Sequence, residues 1–472
     1  MENVILFGAS EKGKQAFIDL QDEYNIVGFS DNNDEKWNQD FVGLKVLPPS
    51  ELLIMSNCKI VIASLYSFEI AQQLQAMGIK KVGIYRRIES RAVIDEIDLE
   101  RIHGLDRHRN ICLVIVNHAL SNVGALYKLV PEKYKEIYNI TVCSAHEKQA
   151  LFFEGYDFHK EILENRMIVL DENIPKQKLE DTLFYHLWHG VPLKALGYMQ
   201  KEVVHSDRQH HNWNRFDVIG SYSSFYNVLL SASFGLARDK FAVTGMPRND
   251  FLYRSDGKEN LSELLEVDIT SKKIIYLMPT YRNSKHLRQE TGNKSWSNIF
   301  GMEVFDNSSF ETFLRQNNLL IVMKVHPHEE EEVLPLIESM FSSHVYLVTS
   351  QMLISKNMDW YETLNAAELL ITDYSSVYFD YLLLDRPVLF TPVDYEDYSQ
   401  DRGFLLEPYD SWTPGPKVIN QDELQEQLLL LLENKDYYQT ERISLKNIIH
   451  YHQDGNSSER VWANIHETLN RR

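Results

Sequence analysis

The sequence contains few cysteines. Its 472 residues include only three, Cys58, Cys112 and Cys143. Their wide spacing fits neither a disulfide framework nor a zinc site. Disulfide-stapled folds are therefore excluded, and we expect a reducing compartment. The chain is too long for one ordinary hydrophobic core, so two or three domains are predicted.

Long apolar runs are also missing. No stretch approaches the roughly 20 apolar residues that a membrane-spanning helix requires. The N-terminus, MENVILFGAS, lacks the basic start and apolar core of a signal peptide. We therefore expect a cytoplasmic protein whose only contact with a membrane would be peripheral, on the inner face.

Basic residues are too few to balance the acidic ones. The 48 Lys and Arg residues face 68 Asp and Glu residues, giving a formal net charge of -20. A nucleic-acid binder usually carries a basic face or a high isoelectric point, so we expect no nucleic-acid partner. Electrostatic adhesion to anionic lipid is disfavoured for the same reason, unless a local basic patch supplies it.

What the chain does contain is an alternation of apolar strands and helical segments, which is typical of parallel α/β sheets. The first series fills residues 1–88, and the charged stretch 89–110 is predicted to be a linker or connecting helix. Two further series occupy residues 111–255 and 256–440, and a helical segment ends the chain at 441–472. We predict a small Rossmann-like domain followed by two facing Rossmann-like halves, whose ligands bind beyond the carboxyl ends of the strands.

The first predicted strand ends in the turn Gly8-x-Ser10-x-x-Gly13, a weak dinucleotide fingerprint with serine at the middle position. Asp31 follows the second strand, where an acidic residue can hold a ribose. Two interpretations stay open. The domain binds a nucleotide or cofactor, or it has kept the fold and lost the ligand, which the lack of a catalytic group nearby slightly favours.

Polar side chains follow several of the later predicted strands. His189 comes directly after an apolar strand, where a histidine can act as a general base toward an alcohol because its ordinary pKa lies near neutrality. A histidine that merely satisfies a turn hydrogen bond explains this residue about equally well. Four other histidines, His205, His210, His211 and His328, are predicted to be surface residues because no matching carboxylate pattern accompanies them.

Two arginines also follow strands, Arg248 in TGMPRND and Arg282 in MPTYR. An arginine at a strand end can clamp a phosphate through two hydrogen bonds. The alternative is a tight turn with a surface salt bridge. Lys324 and His326 share one face of a predicted strand and can both reach one diphosphate, unless the histidine is buried against a backbone carbonyl.

The strongest candidate is the segment in which an apolar strand stops at Asp373 and Ser375 and Ser376 open an amphipathic helix. Free N–H groups at a helix start, together with hydroxyls, form a phosphate cradle. Asp373 or Ser375 can equally serve as a helix N-cap, and both roles are compatible. Arg402, in the later segment DRGF, can close over a nucleotide or its phosphates.

Together, these segments resemble one known family. In order, HGVPLKALG, TGMPRND, MPTYR, KVHP, ITDYSSVYFDYLLLDRPVLF and DRGF are similar to the motifs of the CDP-glycerol glycerophosphotransferases, which include teichoic acid primases and polymerases and related capsule and spore-coat proteins. The resemblance spans roughly residues 110–440. It implies a GT-B architecture in which 256–440 holds the CDP-glycerol donor and 111–255 serves the acceptor. It also implies direct displacement that releases CMP, with no essential metal and no other cofactor.

The resemblance also assigns residues by position. His189 and Lys194 match the histidine and lysine of HG-x-PLK, and His326 matches the histidine of K-x-HP. Ser375 and Ser376 match the serine pair of TDYSS, and Arg248 and Arg282 match the arginines of the GxPR and PTWR-like steps. Val191 and Tyr281 depart mildly, standing where Thr and Trp are common.

The larger departure is residues 1–88, which resemble the small nucleotide-binding domain at the front of some sugar acyltransferases. This leaves the acceptor open, whether a cell-surface glycan, a polyprenyl-linked glycan or a teichoic-acid-like chain. The resulting hypothesis has His189 remove the acceptor proton, while Ser375, Ser376, Arg282, His326 and Arg402 bind the donor diphosphate. Three alternatives remain: a CDP-ribitol donor, a nucleotide-sugar donor, and a non-catalytic scaffold for surface-polysaccharide assembly.

Overall fold

The computed structural model describes residues 1–88, 91–100, 107–115, 121–144, 164–172, 181–200, 213–282, 297–341 and 343–471. His205, His210 and His211 lie outside the described residues. The chain divides into two compact units, the first of which comprises Met1–Val116, Lys135–Val169 and Asn173–Phe184. The second comprises Asn117–Tyr134, Leu170–Glu172 and Tyr185–Arg472, so the domain boundary predicted at residue 255 falls inside it. Within the described segments, no helix is long and apolar enough to cross a bilayer.

The first unit contains a seven-stranded sheet in the order β3-β4-β2-β1-β5-β6-β7. Its strands are β1 (Asn3–Phe7), β2 (Asn25–Ser30), β3 (Asp40–Phe41), β4 (Leu44–Leu47), β5 (Lys59–Ile62), β6 (Lys81–Ile88) and β7 (Arg91–Asp98). Central neighbours run parallel because the helices Glu11–Leu20 and Ser67–Ala76 supply the crossovers. Apolar residues such as Val4, Leu6, Phe29 and Val61 form the core beneath them.

Strand β7 stands where a linker or connecting helix was predicted, so that prediction was wrong for these eight residues. The strand pairs antiparallel with β6 along its whole length. Opposite charges meet across the sheet, since Arg86 pairs with Asp95 and Lys59 pairs with Glu96. Cross-strand pairs of this kind stabilise a sheet. The high charge of the segment therefore belongs to an edge strand and does not indicate a solvated linker.

The first unit also holds β8 (Asn110–Ile115) and β9 (Asn139–Ser144), which pair in parallel. Two more strands, β10 (Met167–Leu170) and β11 (Leu183–His186), lie at the boundary of the two units in sequence. Within the second unit, β12 (Val218–Ser221) pairs in parallel with β11 at Tyr185 and His186, and β13 (Phe241–Val243) extends this arrangement.

The second unit contains a fully parallel five-stranded sheet in the order β16-β15-β14-β17-β18. The strands are β14 (Lys273–Met278), β15 (Leu319–Met323), β16 (Val345–Leu347), β17 (Leu369–Thr372) and β18 (Val388–Phe390). They are short and buried on both faces, as parallel strands with helices on either side usually are.

The other described α-helices are Asn122–Lys128, Glu132–Ile137, Ser224–Phe234, Phe251–Arg254, Gly257–Leu265, Asn307–Gln316, Pro327–Met340, Ser350–Ser355, Tyr361–Leu364, Val377–Tyr381, Tyr395–Asp401, Tyr409–Trp412, Gln421–Glu433, Gln439–Ile449 and Ser457–Arg471. The order of the strands in the five-stranded sheet reverses between β14 and β17. Ligands of such sheets bind beyond the carboxyl ends of the strands at this reversal.

The last helix, Ser457–Arg471, is anchored at both its start and its middle. The backbone N–H groups of Ser457 and Ser458 each donate to the Asp250 carboxylate at 2.7 Å. Trp462 is fully buried, and its indole N–H donates to the carbonyl of Leu126 at 3.1 Å. A negative charge at a helix N-terminus is favourable, so Asp250 ties this helix to the turn that carries Arg248.

Replacing Trp462 by Ala is expected to lower the free energy of unfolding by about 3–5 kcal/mol, because a large buried ring and its hydrogen bond are both lost. Guanidinium unfolding followed by far-UV circular dichroism measures the change. The variant Trp462→Phe keeps most of the ring and should lose less. An Ala variant as stable as the parent would show that this helix does not pack as described.

Candidate functional site

The candidate site forms where the loop after β11 meets the start of the helix Val377–Tyr381. Gly190 makes this approach possible: its φ is +144°, and an added Cβ would lie 2.9 Å from Ser376 Oγ and 3.4 Å from Arg248 Nη2. A side chain at this position would therefore push the loop away. The structure thus brings His189, Arg248 and Ser376 together, although more than a hundred residues separate the first from the last.

His189 lies on this loop and is exposed to solvent. Its ring stacks on Trp188 at a centroid distance of 4.0 Å and hydrogen-bonds to the backbone of Asp171. Desolvation of the ring by the surrounding protein, and then the positive charge of Arg248, lower the pKa of His189 to about 4. The imidazole is therefore neutral near pH 7, which is the form that a general base requires.

A cavity of about 140 Å³ lies in front of His189. Its lining includes the side chains of His189, Lys194, Tyr374 and Ser376. Two of these residues belong to the HGVPLK loop and two to the TDYSS segment. The cavity therefore joins two of the motifs that the sequence singled out.

Lys194 is the cation of this cavity. Within the described residues, no hydrogen bond or ion pair engages its ammonium group, which lies near Asp373, Arg282 and Arg402. Burial lowers the pKa of Lys194 to about 8; the Asp373 carboxylate opposes this shift, and the charges of Arg282 and Arg402 add to it. A partly buried ammonium that forms no ion pair with a described carboxylate favours an anionic ligand.

The backbone explains why Lys194 and Arg402 are close. Residues 193–195 pair with residues 403–405: the Ala195 N–H donates to the Gly403 carbonyl at 3.1 Å, and the Leu405 N–H donates to the Leu193 carbonyl at 2.8 Å. This short ladder joins the HGVPLK loop to the DRGF segment. Arg402 is half-buried, and no described residue accepts a hydrogen bond from its guanidinium.

Arg248 is held in a different way from the one predicted. Its Nη2 donates to Asp380 at 2.7 Å and to the carbonyl of His189 at 2.9 Å, and its guanidinium stacks on the Tyr361 ring. Asn249 Nδ2 and the Tyr361 hydroxyl donate to the same Asp380 carboxylate, at 2.9 and 2.6 Å. These contacts hold Arg248 beneath the His189 loop, and its contact with a phosphate stays a prediction.

Arg282 is likewise enclosed by carboxylates. Its Nε and Nη2 donate to Asp394 at 2.7 and 2.9 Å, and Nη2 also donates to Asp373 at 2.9 Å. The rings of Tyr374 and Tyr398 each lie 4.9 Å from the guanidinium carbon. Asp373 further accepts from the backbone N–H groups of Thr280 and Tyr374. Arg282 and Asp373 therefore link the segments that follow β14 and β17 through hydrogen bonds.

Lys324 and His326 follow β15, which ends at Met323, so the predicted shared strand face is not present. Lys324 is buried and donates to Glu330 at 2.5 Å and to the Val325 carbonyl at 2.9 Å. His326 caps the helix Pro327–Met340, accepting from the backbone N–H of His328 at 3.3 Å, and stacks on Tyr281. Burial, and then the charges of His328 and Lys324, lower the pKa of His326 to about 4.

The two serines flank the start of the helix Val377–Tyr381. Its N-cap is Ser376, which makes no side-chain capping bond, so neither Asp373 nor Ser375 is the N-cap. Both hydroxyls are half-buried, and Ser376 lines the cavity of His189 and Lys194. These hydroxyls remain available as hydrogen-bond donors to a ligand.

The predicted N-terminal residues belong to the first unit. An added Cβ on Gly13 would lie 1.9 Å from the Gly8 carbonyl oxygen, so the turn is tight, and Ser10 caps the helix that follows. The Asp31 carboxylate accepts from the Ala9 N–H at 2.8 Å and from the Lys36 ammonium at 3.0 Å. Asp31 thus binds the turn itself, which favours the interpretation that this domain has kept the fold and lost the ligand.

Sequence reasoning missed Asp380 and Asp394, the carboxylates that hold Arg248 and Arg282. A signal for Asp380 was available, because this residue interrupts the apolar run of YSSVYFDYLLL. Asp394 carried no comparable signal, since it lies in a polar loop. In the described part of the chain, no group of three or more His, Cys, Asp or Glu side chains is arranged to hold a metal ion.

Comparison with known proteins agrees with the motifs. A family model described as CDP-glycerol:poly(glycerophosphate) glycerophosphotransferase matches residues 104–467, and a C2185-like N-terminal domain matches residues 1–85. The resemblance predicted from the motifs is thereby confirmed. The fold matches that of the wall teichoic acid polymerase TagF with a TM-score of 0.60 and 19% identity, covering 78% of this chain and 91% of that one. The predicted GT-B-like α/β fold class is confirmed by this likeness.

Curated relatives include two proteins from Staphylococcus aureus. The teichoic acid ribitol-phosphate polymerase TarL is 29% identical over 237 residues, which are 49% of this chain and 38% of that protein. A teichoic acid glycerol-phosphate transferase is 26% identical over 299 residues, which are 60% of this chain and 71% of that protein. The chain thus aligns with well under half of the first relative's length and about seven tenths of the second's.

Lys194 is expected to bind anions in a pH-dependent way. In the free protein the ammonium is protonated below its pKa of about 8, so affinity for a diphosphate such as CDP should fall as the pH rises through that value. Replacing Lys194 by Met should weaken CDP binding by about 10- to 100-fold at pH 7, because a charged hydrogen bond is lost. Isothermal titration calorimetry between pH 6.5 and 9.5 measures both effects.

The control for this experiment is Lys194→Arg, which stays charged across the range and should lose the pH dependence but keep most of the affinity. Equal affinity in the parent and the Met variant would show that the diphosphate binds elsewhere.

Proposed function

The chain belongs to the CDP-glycerol:poly(glycerophosphate) glycerophosphotransferase family, and on that premise we propose that it transfers glycerol phosphate from CDP-glycerol to a hydroxyl of a cell-surface glycan or teichoic-acid-like acceptor, releasing CMP. One observation carries the proposal. A cation that no described residue neutralises, Lys194, shares a small cavity with a neutral histidine, His189, and with the hydroxyl of Ser376. This combination suits a diphosphate ester next to a general base.

The donor diphosphate is proposed to lie against Lys194 and Arg402, with Ser375 and Ser376 donating hydrogen bonds from their hydroxyls. Arg282 contributes less net charge, since Asp373 and Asp394 both bind it. The fixed positive charge acts on the leaving CMP, whose phosphate gains charge as the bond to the glycerol-bearing phosphorus breaks. No step of this proposal requires a cofactor.

His189 is proposed to accept the proton of the acceptor hydroxyl as its oxygen attacks the glycerol-bearing phosphorus. The ring nitrogen that faces the cavity accepts this proton, while the ring's hydrogen bond to the Asp171 backbone sets its orientation. Arg248 steadies the loop by binding the His189 carbonyl. His326, neutral and on a helix cap, is the second proposed catalytic residue and donates its ring N–H to the leaving phosphate.

CDP-ribitol is the second candidate donor, because relatives as similar as TarL are named as ribitol-phosphate polymerases. The cavity residues described above are proposed to contact the diphosphate, which both donors share, so they do not distinguish the two alditols. If the acceptor is a polyprenyl-linked glycan, we propose that the protein works at the inner face of the cell membrane.

The test is CMP release by the purified protein from CDP-glycerol, CDP-ribitol and UDP-glucose in turn, with and without a lipid-linked glycan, in EDTA. We expect acceptor-stimulated CMP release from CDP-glycerol. Release from CDP-ribitol alone, or UDP release from the sugar donor, would keep the fold and overturn the substrate. No turnover and no CDP-glycerol binding would favour a scaffold in polysaccharide assembly.

Replacing His189 by Ala should reduce kcat by about 100- to 10,000-fold, the usual contribution of a general base, and leave the Kd of CDP-glycerol within about threefold. In the parent, kcat/KM should stay high well below pH 6, because the base is active above its pKa of about 4. Steady-state CMP release measures both quantities. His466→Ala, on the last helix, serves as the control, and an unchanged kcat in the His189 variant would exclude its role as base.

A further inference from the structure

A second cavity, of about 510 Å³, lies beyond the carboxyl end of β18. It is lined by residues 392–397 and 408–410, together with Lys417 and Ile419. Its volume falls within the range of about 300–1,000 Å³ that is typical of small-molecule sites. The transfer chemistry proposed above uses none of the exposed side chains in this cavity.

The cavity adjoins the proposed donor site through two residues. Asp394 lies in its wall and binds Arg282 through both carboxylate oxygens. Phe404 lies beside it: its ring stacks on Tyr395 at 5.9 Å, and its backbone pairs with Lys194. Phe404 therefore connects the wall of this cavity to the segment that carries Lys194.

Some of the side chains that line the cavity expose apolar surface to solvent. Tyr395 is 37% exposed and Ile419 is 60% exposed, although both lie on a concave surface. The rings of Tyr395 and Tyr409 lie 5.5 Å apart. The electron-rich face of such a ring suits the C–H face of a sugar, which is positively polarised.

Carboxylates supply the polar part of the lining. Glu396, Asp397 and Asp410 are exposed, and an ionised carboxylate is a pure hydrogen-bond acceptor that matches sugar hydroxyls. The only lining cation is Lys417, which donates to the Thr413 carbonyl at 2.6 Å and lies 3.7 Å from Asp410. With three exposed carboxylates, of which only Asp410 lies near a lysine, the cavity repels phosphates and favours an uncharged polyol.

We propose that this cavity binds a neutral sugar ring of the acceptor while the donor diphosphate occupies the neighbouring cavity at Lys194. The inference rests on the proposed function for its identification of the ligand as acceptor. The carboxylates of this cavity repel the donor's phosphates, whereas the Lys194 ammonium attracts them to the neighbouring cavity, so we expect donor and acceptor not to compete for one site.

The test compares Tyr395→Ala and Asp397→Asn with the parent in two assays on the full chain. In the first, saturation-transfer NMR titrations use glucose, N-acetylglucosamine and maltose as probes without any donor. We expect at least one of them to bind the parent with a millimolar Kd, and each variant to weaken that binding by tenfold or more. In the second, calorimetry with CDP should give a Kd within twofold of the parent.

Matched controls are Tyr451→Ala, which removes a tyrosine that is 73% exposed elsewhere, and Asp422→Asn, on an exposed first helical turn. Neither should change sugar or CDP binding. The inference is overturned if none of the three sugars binds the parent, or if the variants bind them as the parent does. It is also overturned if the variants weaken CDP binding, because the cavity would then hold the nucleotide.

Failure of the proposed function gives a different pattern. If the protein binds the sugar in this cavity but neither binds nor turns over CDP-glycerol, the proposed function is wrong and the sugar site is retained. If the protein turns over CDP-glycerol but Tyr395→Ala leaves the KM of the acceptor unchanged, the proposed function is retained and the sugar site is wrong.

Discussion

The buried ion pair between Arg248 and Asp380 is the interaction on which the rest of the site depends. Both side chains are almost fully enclosed, at 4% and 1% exposure. Removing one partner from such a pair typically costs about 3–5 kcal/mol, since an uncompensated charge stays buried. Here the pair also fixes geometry, because Arg248 binds the His189 carbonyl and Asp380 sits on the helix that begins after Ser376. The Arg248 guanidinium thus fixes the positions of both the loop that carries His189 and the helix that begins after Ser376.

Charge is distributed unevenly around this centre. Arg248 and Arg282 are each matched by carboxylates, and Lys324 is matched by Glu330. In the described part of the chain, Lys194 and Arg402 are the site cations that no such bond engages. Three buried cations therefore hold the framework through four ion pairs, and the attraction for an anion is concentrated on two other side chains. This separation explains how a protein with a net charge of -20 can present a local positive site.

Much of the fold could be predicted from the sequence, because each buried strand of the second unit is a short apolar run followed by a polar turn. Strand β7 could not, since the charges of Arg91–Asp98 find their partners only across the sheet. At the site, the sequence identified residues that lie close together in the structure, but not the partners that each of them contacts. Arginine is suited both to phosphate and to carboxylate, and only the positions of Asp380 and Asp394 in space decide between the two for Arg248 and Arg282.

The short ladder between residues 193–195 and 403–405 has a consequence for how the protein is made. During synthesis, the loop that carries His189 leaves the ribosome more than two hundred residues before its backbone partners. The Asp250 turn likewise forms its hydrogen bonds to Ser457 and Ser458 only after more than two hundred further residues have been translated. Long-range contacts of this kind form late in folding. The site therefore assembles only after residues 403–405 have been translated, so a product truncated before them has no assembled cavity around Lys194.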